Sequence, residues 1–323
     1  MKLKKKIIFL YIIFFSYLLL IYLKNYTFCN IYYGKCSLVT PYGGDILRYL
    51  NAHYYTPITN HYGFSLYLTF LIVHPWLKFK FFLLTYLLTF YVVLFFCGLK
   101  LLRNNNLWKF IPYLSIVIFY PFYEGYSSIA LKQGLGMIFM LMSIFFVKRI
   151  FSFASCLFIL AAIMSHYVFL LVYFILYIVK FFSIRFFTII FLLCTFSYLI
   201  GLNNFLFEWV IQTFEHIHKD QYQETWLRTT TEVKYLFVLF SFFPLFAFQI
   251  IQFKKLISRN SILKNLYKFH LLYCSCIFLF FAEYFYLNRF LEIAWLFYPL
   301  YLLTLFNITK ISFKVIKNPK KIP

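Results

Sequence analysis

The sequence predicts an all-α, polytopic integral membrane protein, and three observations carry that reading. They are its apolar content, the recurrence of apolar runs from end to end, and the placement of charge between those runs. Hydrophobic residues make up 63% of the 323 residues and charged residues only 12%, with a mean hydropathy of +0.80. A water-soluble domain of this length cannot bury so large an apolar share, whereas a bilayer requires it. The runs recur along the whole chain, so residues 1–323 are expected to form a single polytopic membrane domain. Phe (48) and Tyr (30) are abundant while Gly (9) and Pro (9) are scarce, a bias that fits an AT-rich genome and by itself assigns no function.

Taken in order, the expected spans are 7–23, 81–102, 110–124, 129–147, 151–166, 167–180, 186–202, 235–253, 269–287 and 290–309. The basic start, Met1 to Lys6, leads into the apolar run Ile7 to Leu23. No small-residue cleavage site precedes Lys24-Asn25-Tyr26, so this run reads as an uncleaved first span. Tyr62 to Leu77 is also apolar, but a full crossing there would invert every later loop. With Pro75 and Trp76 near its end and Lys78 and Lys80 after it, it reads as a re-entrant or interfacial helix. About ten spans return both termini to the cytoplasm, as expected for a multi-pass protein of a bacterial inner (cytoplasmic) membrane.

Charge supports the same orientation. The net charge of +22 is not a nucleic-acid signature, because Lys and Arg fall in short clusters between apolar runs. Clusters such as Lys4-Lys5-Lys6, Lys148-Arg149, Lys254-Lys255 and Lys320-Lys321 lie on the expected inner side. All nine acidic residues fall in the expected outer loops or the span portions nearest them. Two outer segments are long. Lys24 to His61 contains the turn-forming Pro41-Tyr42-Gly43-Gly44-Asp45. In Asn203 to Lys234, Phe207, Val210, Ile211, Phe214 and Ile217 share one helical face, which predicts a helix lying on the membrane surface.

The seven cysteines form no metal framework. Cys97, Cys156, Cys194, Cys274 and Cys276 lie in apolar runs and read as small hydrophobes. Cys29 and Cys36 share the first outer loop and could pair in an oxidising compartment. Glu215, His216, His218 and Asp220 are ligand types, but alternate positions of a helix point apart, and no metal is expected.

The expected inner loops are short and basic, with neither a Gly-rich phosphate loop nor an acidic pair for a nucleotide-bound metal. No nucleotide and no other cofactor is therefore expected. Candidate chemistry lies at the opposite face. Lys132 and Gln133 open a span in Leu131-Lys132-Gln133-Gly134, a cation that either snorkels to lipid phosphate or meets an anionic ligand. Gly134 and Gly136 read as sites of close helix packing. His166 stands where two spans meet and either caps backbone groups or serves as base or hydrogen-bond donor. Arg289 is placed in a tight turn, Leu287-Asn288-Arg289-Phe290, to pair with Glu283 or Glu292 or to grip a phosphate. Asp45 and Arg48 share a short helical turn that Asp45 would cap.

These residues, in this order, resemble the EpsG family of exopolysaccharide polymerases, relatives of the Wzy-type polymerases of O-antigen and capsule assembly. The likeness rests on Asp45 with Tyr49 in the first outer loop, on Leu131-Lys132-Gln133-Gly134-Leu135-Gly136, on His166, and on Arg289 before the last span. The family pattern has arginine before the glutamine where this chain has Lys132, a point charge in place of a bidentate fork. The resemblance implies a repeat-unit polymerase acting on undecaprenyl-pyrophosphate-linked oligosaccharides at the periplasmic face. It implies catalytic roles for Asp45, His166 and Arg289 and substrate binding by Arg48, Lys132 and Gln133. The implied partners are the lipid-linked oligosaccharide and membrane lipid, with a chain-length regulator or a flippase as protein partner, and no nucleic acid. Two other readings stay open: a glycosyltransferase using a polyprenyl-phosphate sugar, and a lipid-linked oligosaccharide flippase. A membrane O-acyltransferase is disfavoured, since Ile7 to Leu23 carries neither His nor Arg.

The topology is directly testable. Cysteines introduced as Asn104→Cys and Ser261→Cys are expected to stay shielded from an impermeant thiol reagent in intact cells, and Gln221→Cys to react. Labelling of Ser261→Cys without permeabilisation overturns the ten-span arrangement.

Overall fold

Helix is the only regular structure among the described residues. A computed structural model of the chain describes residues 2–33, 79–101, 110–124, 131–147, 152–202, 235–280 and 287–305. The helices are α1 (Lys2–Tyr33), α2 (Phe79–Leu101), α3 (Phe110–Phe119), α4 (Pro121–Glu124), α5 (Leu131–Phe145), α6 (Phe153–Ser165) and α7 (Val168–Ile178). They continue with α8 (Ile184–Leu199), α9 (Tyr235–Ser241), α10 (Phe243–Gln249), α11 (Ile251–Arg259), α12 (Ser261–Phe280) and α13 (Leu287–Trp295). The class is all-α, as expected. No helix among the described residues is long and apolar enough to cross a membrane. The segments 62–77 and 203–234, Asp45 and Arg48, Cys36, and the ligand types at 215–220 lie outside the described residues.

Several helix ends differ from the sequence expectation, each for a local reason. α1 runs to Tyr33, past the expected loop start at Lys24, because no Gly or Pro interrupts the chain before Gly34. The expected span 110–124 breaks at Tyr120, where Pro121 disfavours helical backbone in the residue before it. α12 begins at Ser261 and so takes Lys264 and Lys268 into a helix. Its start is capped by Asn260, whose Oδ1 accepts from the N–H groups of Ile262 (3.1 Å) and Leu263 (3.4 Å). Arg289 lies in the first turn of α13 instead of in a tight turn, since Leu287 and Asn288 are already helical.

The expected span 235–253 is three helices, and Pro244 explains the first break. A proline lacks the N–H that would return to the carbonyl four residues earlier, here Phe240. Tyr298 Oη donates to that carbonyl instead (2.8 Å). The neighbouring Ser241 carbonyl takes a hydrogen bond from His270 Nε2 (2.9 Å).

The chain divides into two compact units, one of Met1–Leu171 with Leu302–Pro323 and one of Val172–Tyr301. In the first, α2 is the central element. Tyr17 Oη of α1 donates to the Tyr91 carbonyl (3.2 Å) and Tyr113 Oη of α3 to the Leu94 carbonyl (2.9 Å). Gly98 lets α3 approach, because a Cβ there would strike the rings of Tyr113 and Phe110. Lys100 Nζ, at the end of α2, donates to the Phe145 carbonyl at the end of α5. In the second unit α12 is packed by α8, with Tyr198 stacked on Phe278 at 5.1 Å, and by α11 and α13.

Outward faces are apolar as well as inward ones. α6 exposes Phe153, Leu157, Leu160 and Met164, and α8 exposes Phe186, Ile189, Leu193 and Phe196. These spacings of three and four residues define a continuous helical stripe in each case. Phe153 is 80% exposed and Leu236 of α9 78%, whereas the stripe facing inward is also aromatic and aliphatic.

Lys268 is a buried cation that seals a helix end. Only 4% exposed, it donates to the carbonyls of Val179 (2.8 Å) and Phe182 (2.5 Å), just beyond the last residue of α7. The Val179 carbonyl stands at the C-terminal, negative end of the α7 dipole. Burial, with the like charge of Lys264 adding to it, pulls the Lys268 ammonium below its ordinary pKa. Lys268→Met is expected to lower stability by about 1.5–3 kcal/mol, the scale of a hydrogen bond to a charged group. Lys264→Met should change it far less, and equal unfolding midpoints for the two variants would refute the role.

Candidate functional site

The structure brings two of the sequence-predicted residues into contact. Gln133 is the third residue of α5, and His166 closes α6 as its C-cap with extended backbone (φ −160°, ψ 126°). Thirty-three residues apart in sequence, their side chains meet with Gln133 Nε2 and His166 Nε2 at 3.5 Å. His166 Nδ1 accepts the backbone N–H of Val168 (3.3 Å), the first residue of α7. One residue thus ends one helix through its backbone and caps the next through its imidazole.

The helix approach that makes this contact depends on a missing side chain. One turn beyond Gln133, Gly136 faces the fully buried ring of Phe169, and a Cβ at 136 would clash with the edge of that ring. The sequence assigned Gly134 and Gly136 to close packing, and at Gly136 the partner is Phe169. α6 also packs on α5, with Phe139 and Phe158 stacked at 6.3 Å.

Lys132, adjacent to Gln133, is half-buried and close enough for its charge to act on His166. Tyr167 lies against the imidazole, ring centroids 4.8 Å apart and planes at 23°, and is 71% exposed. The assembled group is therefore a cation, an amide, an imidazole and an open aromatic face at the start of α5 and α7. Such a group can hold an anionic oxygen and offer a flat apolar surface beside it. Arg289 is placed by its backbone in α13, in the other unit. Asp45 and Arg48 fall outside the described residues.

The second unit holds a polar cluster that sequence reasoning missed. Around the α9–α10 break, Ser241 Oγ accepts from Trp295 Nε1 (3.1 Å) and its carbonyl from His270 Nε2. Cys274 Sγ lies 3.8 Å from His270 Nε2 and 4.0 Å from Nδ1. Ser241 and His270 are fully buried. From the sequence Cys274 reads only as a small hydrophobe, and His270 lies inconspicuously inside an expected span. The signal available was Pro244, whose presence in an expected span requires polar partners for the carbonyls it frees. Among the described residues no group of three His, Cys, Asp or Glu side chains could hold a metal ion.

No protein-family model, curated protein or solved structure matches the chain.

Gly136→Ala tests the geometry of the site. The added methyl must displace Phe169, so α5 and the start of α7 should separate and the Gln133–His166 contact be lost. Overpacking of this kind costs about 1–3 kcal/mol, and a Phe169→Leu change in the same chain should recover much of it. Full stability of Gly136→Ala alone would contradict the close approach.

Proposed function

We propose that the chain is a multi-pass membrane glycosyltransferase of the bacterial inner membrane that polymerises undecaprenyl-pyrophosphate-linked oligosaccharide repeat units at the periplasmic face. The observation that carries this reading is the meeting of Lys132-Gln133 with His166. Two of the four short segments that resemble exopolysaccharide polymerases converge on one spot, and the spot has the chemistry that the reaction needs.

The membrane part of the reading is supported by the outward apolar stripes of α6 and α8. Exposed apolar patches on soluble monomers rarely exceed a few hundred Å², and stripes that continue over several turns of successive helices suit hydrocarbon. The broken segment α9–α10 fits as well. Within a bilayer a helix can break only where protein groups take up the freed backbone carbonyls, and Tyr298 and His270 do so.

The reaction joins preassembled units. The bond from the anomeric carbon to the pyrophosphate oxygen breaks, and a bond to a hydroxyl of the second unit forms. The donor carries its own leaving group, so neither nucleotide nor metal is needed to activate it. Lys132 stabilises the departing pyrophosphate, and the resemblance assigns substrate binding to Arg48, a catalytic role to Arg289, and to Asp45 the proton of the attacking hydroxyl. A single displacement of this kind inverts the anomeric centre.

Deletion of the gene should leave surface glycan with one repeat unit, or single lipid-linked units accumulating in the membrane. Lys132→Gln should reduce polymer formation by about 10²–10³-fold, the usual effect of one electrostatic stabiliser, while Lys132→Arg keeps most of it. Long polymer persisting in a deletion strain that has no second polymerase would refute the proposal. Products longer by one sugar would favour a polyprenyl-phosphate-dependent transferase, and units trapped on the inner leaflet a flippase.

A further inference from the structure

His166 touches two partners, and the one at Nδ1 dictates which of its nitrogens carries the proton. The Val168 N–H points at Nδ1 (3.3 Å), so Nδ1 must be a lone pair and not an N–H. A neutral imidazole with a bare Nδ1 carries its hydrogen on Nε2. Nε2 faces the Gln133 amide at 3.5 Å, with the amide nitrogen turned toward it. An N–H facing an NH₂ group has no acceptor. Amide oxygen and nitrogen are interchangeable by a half-turn of the group, and so turned Gln133 presents its carbonyl oxygen Oε1 as the acceptor of Nε2–H. Both contacts then agree on one tautomer.

From this we infer that His166 acts in the reaction as a neutral hydrogen-bond donor through Nε2–H, and that Gln133 is a positioning residue that aims the ring. The inference rests on the functional reading above. A base would need a free lone pair facing the substrate, and the only lone pair of this ring is spent on the start of α7. Protonation at Nδ1 would set its new N–H against that of Val168. The imidazole therefore keeps its proton throughout, and no bond is made or broken at its nitrogens. An anionic oxygen displaces the long Gln133 contact and receives a shorter, charge-assisted hydrogen bond. Lys132, one residue from Gln133 and within range of the ring, adds its charge to the same oxygen. Proton removal from the attacking hydroxyl falls to a carboxylate.

The tautomer can be read without any activity. In chain labelled with ¹⁵N-histidine and held in lipid nanodiscs, the signal lost in His166→Ala should show a bare Nδ1 and a protonated Nε2. An Nδ1–H tautomer or an imidazolium at neutral pH overturns the inference. Activity then separates donor from base, because a glutamine at 166 can place an N–H near the Nε2 position but cannot act as a base. His166→Gln is expected to remain within about ten-fold of the original rate, while His166→Ala loses about 10²–10³-fold. The pH–rate profile of His166→Gln should keep the original shape. Equal loss in the two variants, or disappearance of one limb of the profile in His166→Gln, assigns the ring as a base and overturns the inference. Gln133→Leu should lower kcat about ten-fold and leave KM nearly unchanged, and a rise in KM alone would make Gln133 a substrate ligand. Absence of polymer synthesis by the unaltered chain, with the tautomer as stated, would defeat the functional reading while leaving the ring's assignment in place.

Discussion

Backbone carbonyls and N–H groups that no helix can satisfy for itself organise this protein. Every helix ends with unpaired groups, and a chain this apolar has little water near those ends to take them up. The solution recurs at several places: a side chain from elsewhere in the same unit supplies the missing partner. Lys100 reaches the end of α5, and Lys268 the turn after α7. Tyr298 and His270 serve the break between α9 and α10, and His166 serves the start of α7. Ser152, Ser183 and Asn260 do the same locally as caps of α6, α8 and α12. Apolar burial gathers the helices without direction, and these polar ties fix which helix end meets which side chain.

This division of labour explains what the amino-acid sequence made legible. The helical class and most helix positions follow from apolar periodicity, which is local. α5, α6, α7 and α8 fall within a few residues of the expected spans. The breaks at Tyr120 and Phe242 were open to inspection, since Pro121 and Pro244 are visible in the sequence. Hydropathy hides them because an apolar run dominates any local average. The early start of α12 escapes apolar periodicity for a related reason, since Lys264 and Lys268 interrupt the run before the expected span at 269. The Lys268 charge is accepted inside the fold because two carbonyls more than eighty residues away in sequence receive it, and no local pattern contains that information.

The site was legible in part for the same reason. Lys132, Gln133 and His166 stand out as polar residues at the ends of apolar runs, and their costs draw attention to them. That Gln133 and His166 touch depends on Gly136 admitting Phe169, a packing event between helices. The sequence left His166 open as a cap, a base or a donor. In the fold it is a cap through one nitrogen, and that role constrains what the other nitrogen can do. A histidine engaged in helix architecture is thereby orientated for chemistry, so its structural and chemical uses are not alternatives.

Ser241 ties three helices at one residue. Its hydroxyl receives Trp295 of α13, its carbonyl receives His270 of α12, and it ends α9 itself. α9 is seven residues long, too short to persist as a helix without its neighbours. Loosening it would strand a buried indole N–H and a buried imidazole together, so opening here is expected to be all-or-none. Amide hydrogens in α9, in the middle of α12 and at the end of α13 should then exchange with solvent at a common rate, set by one shared opening event.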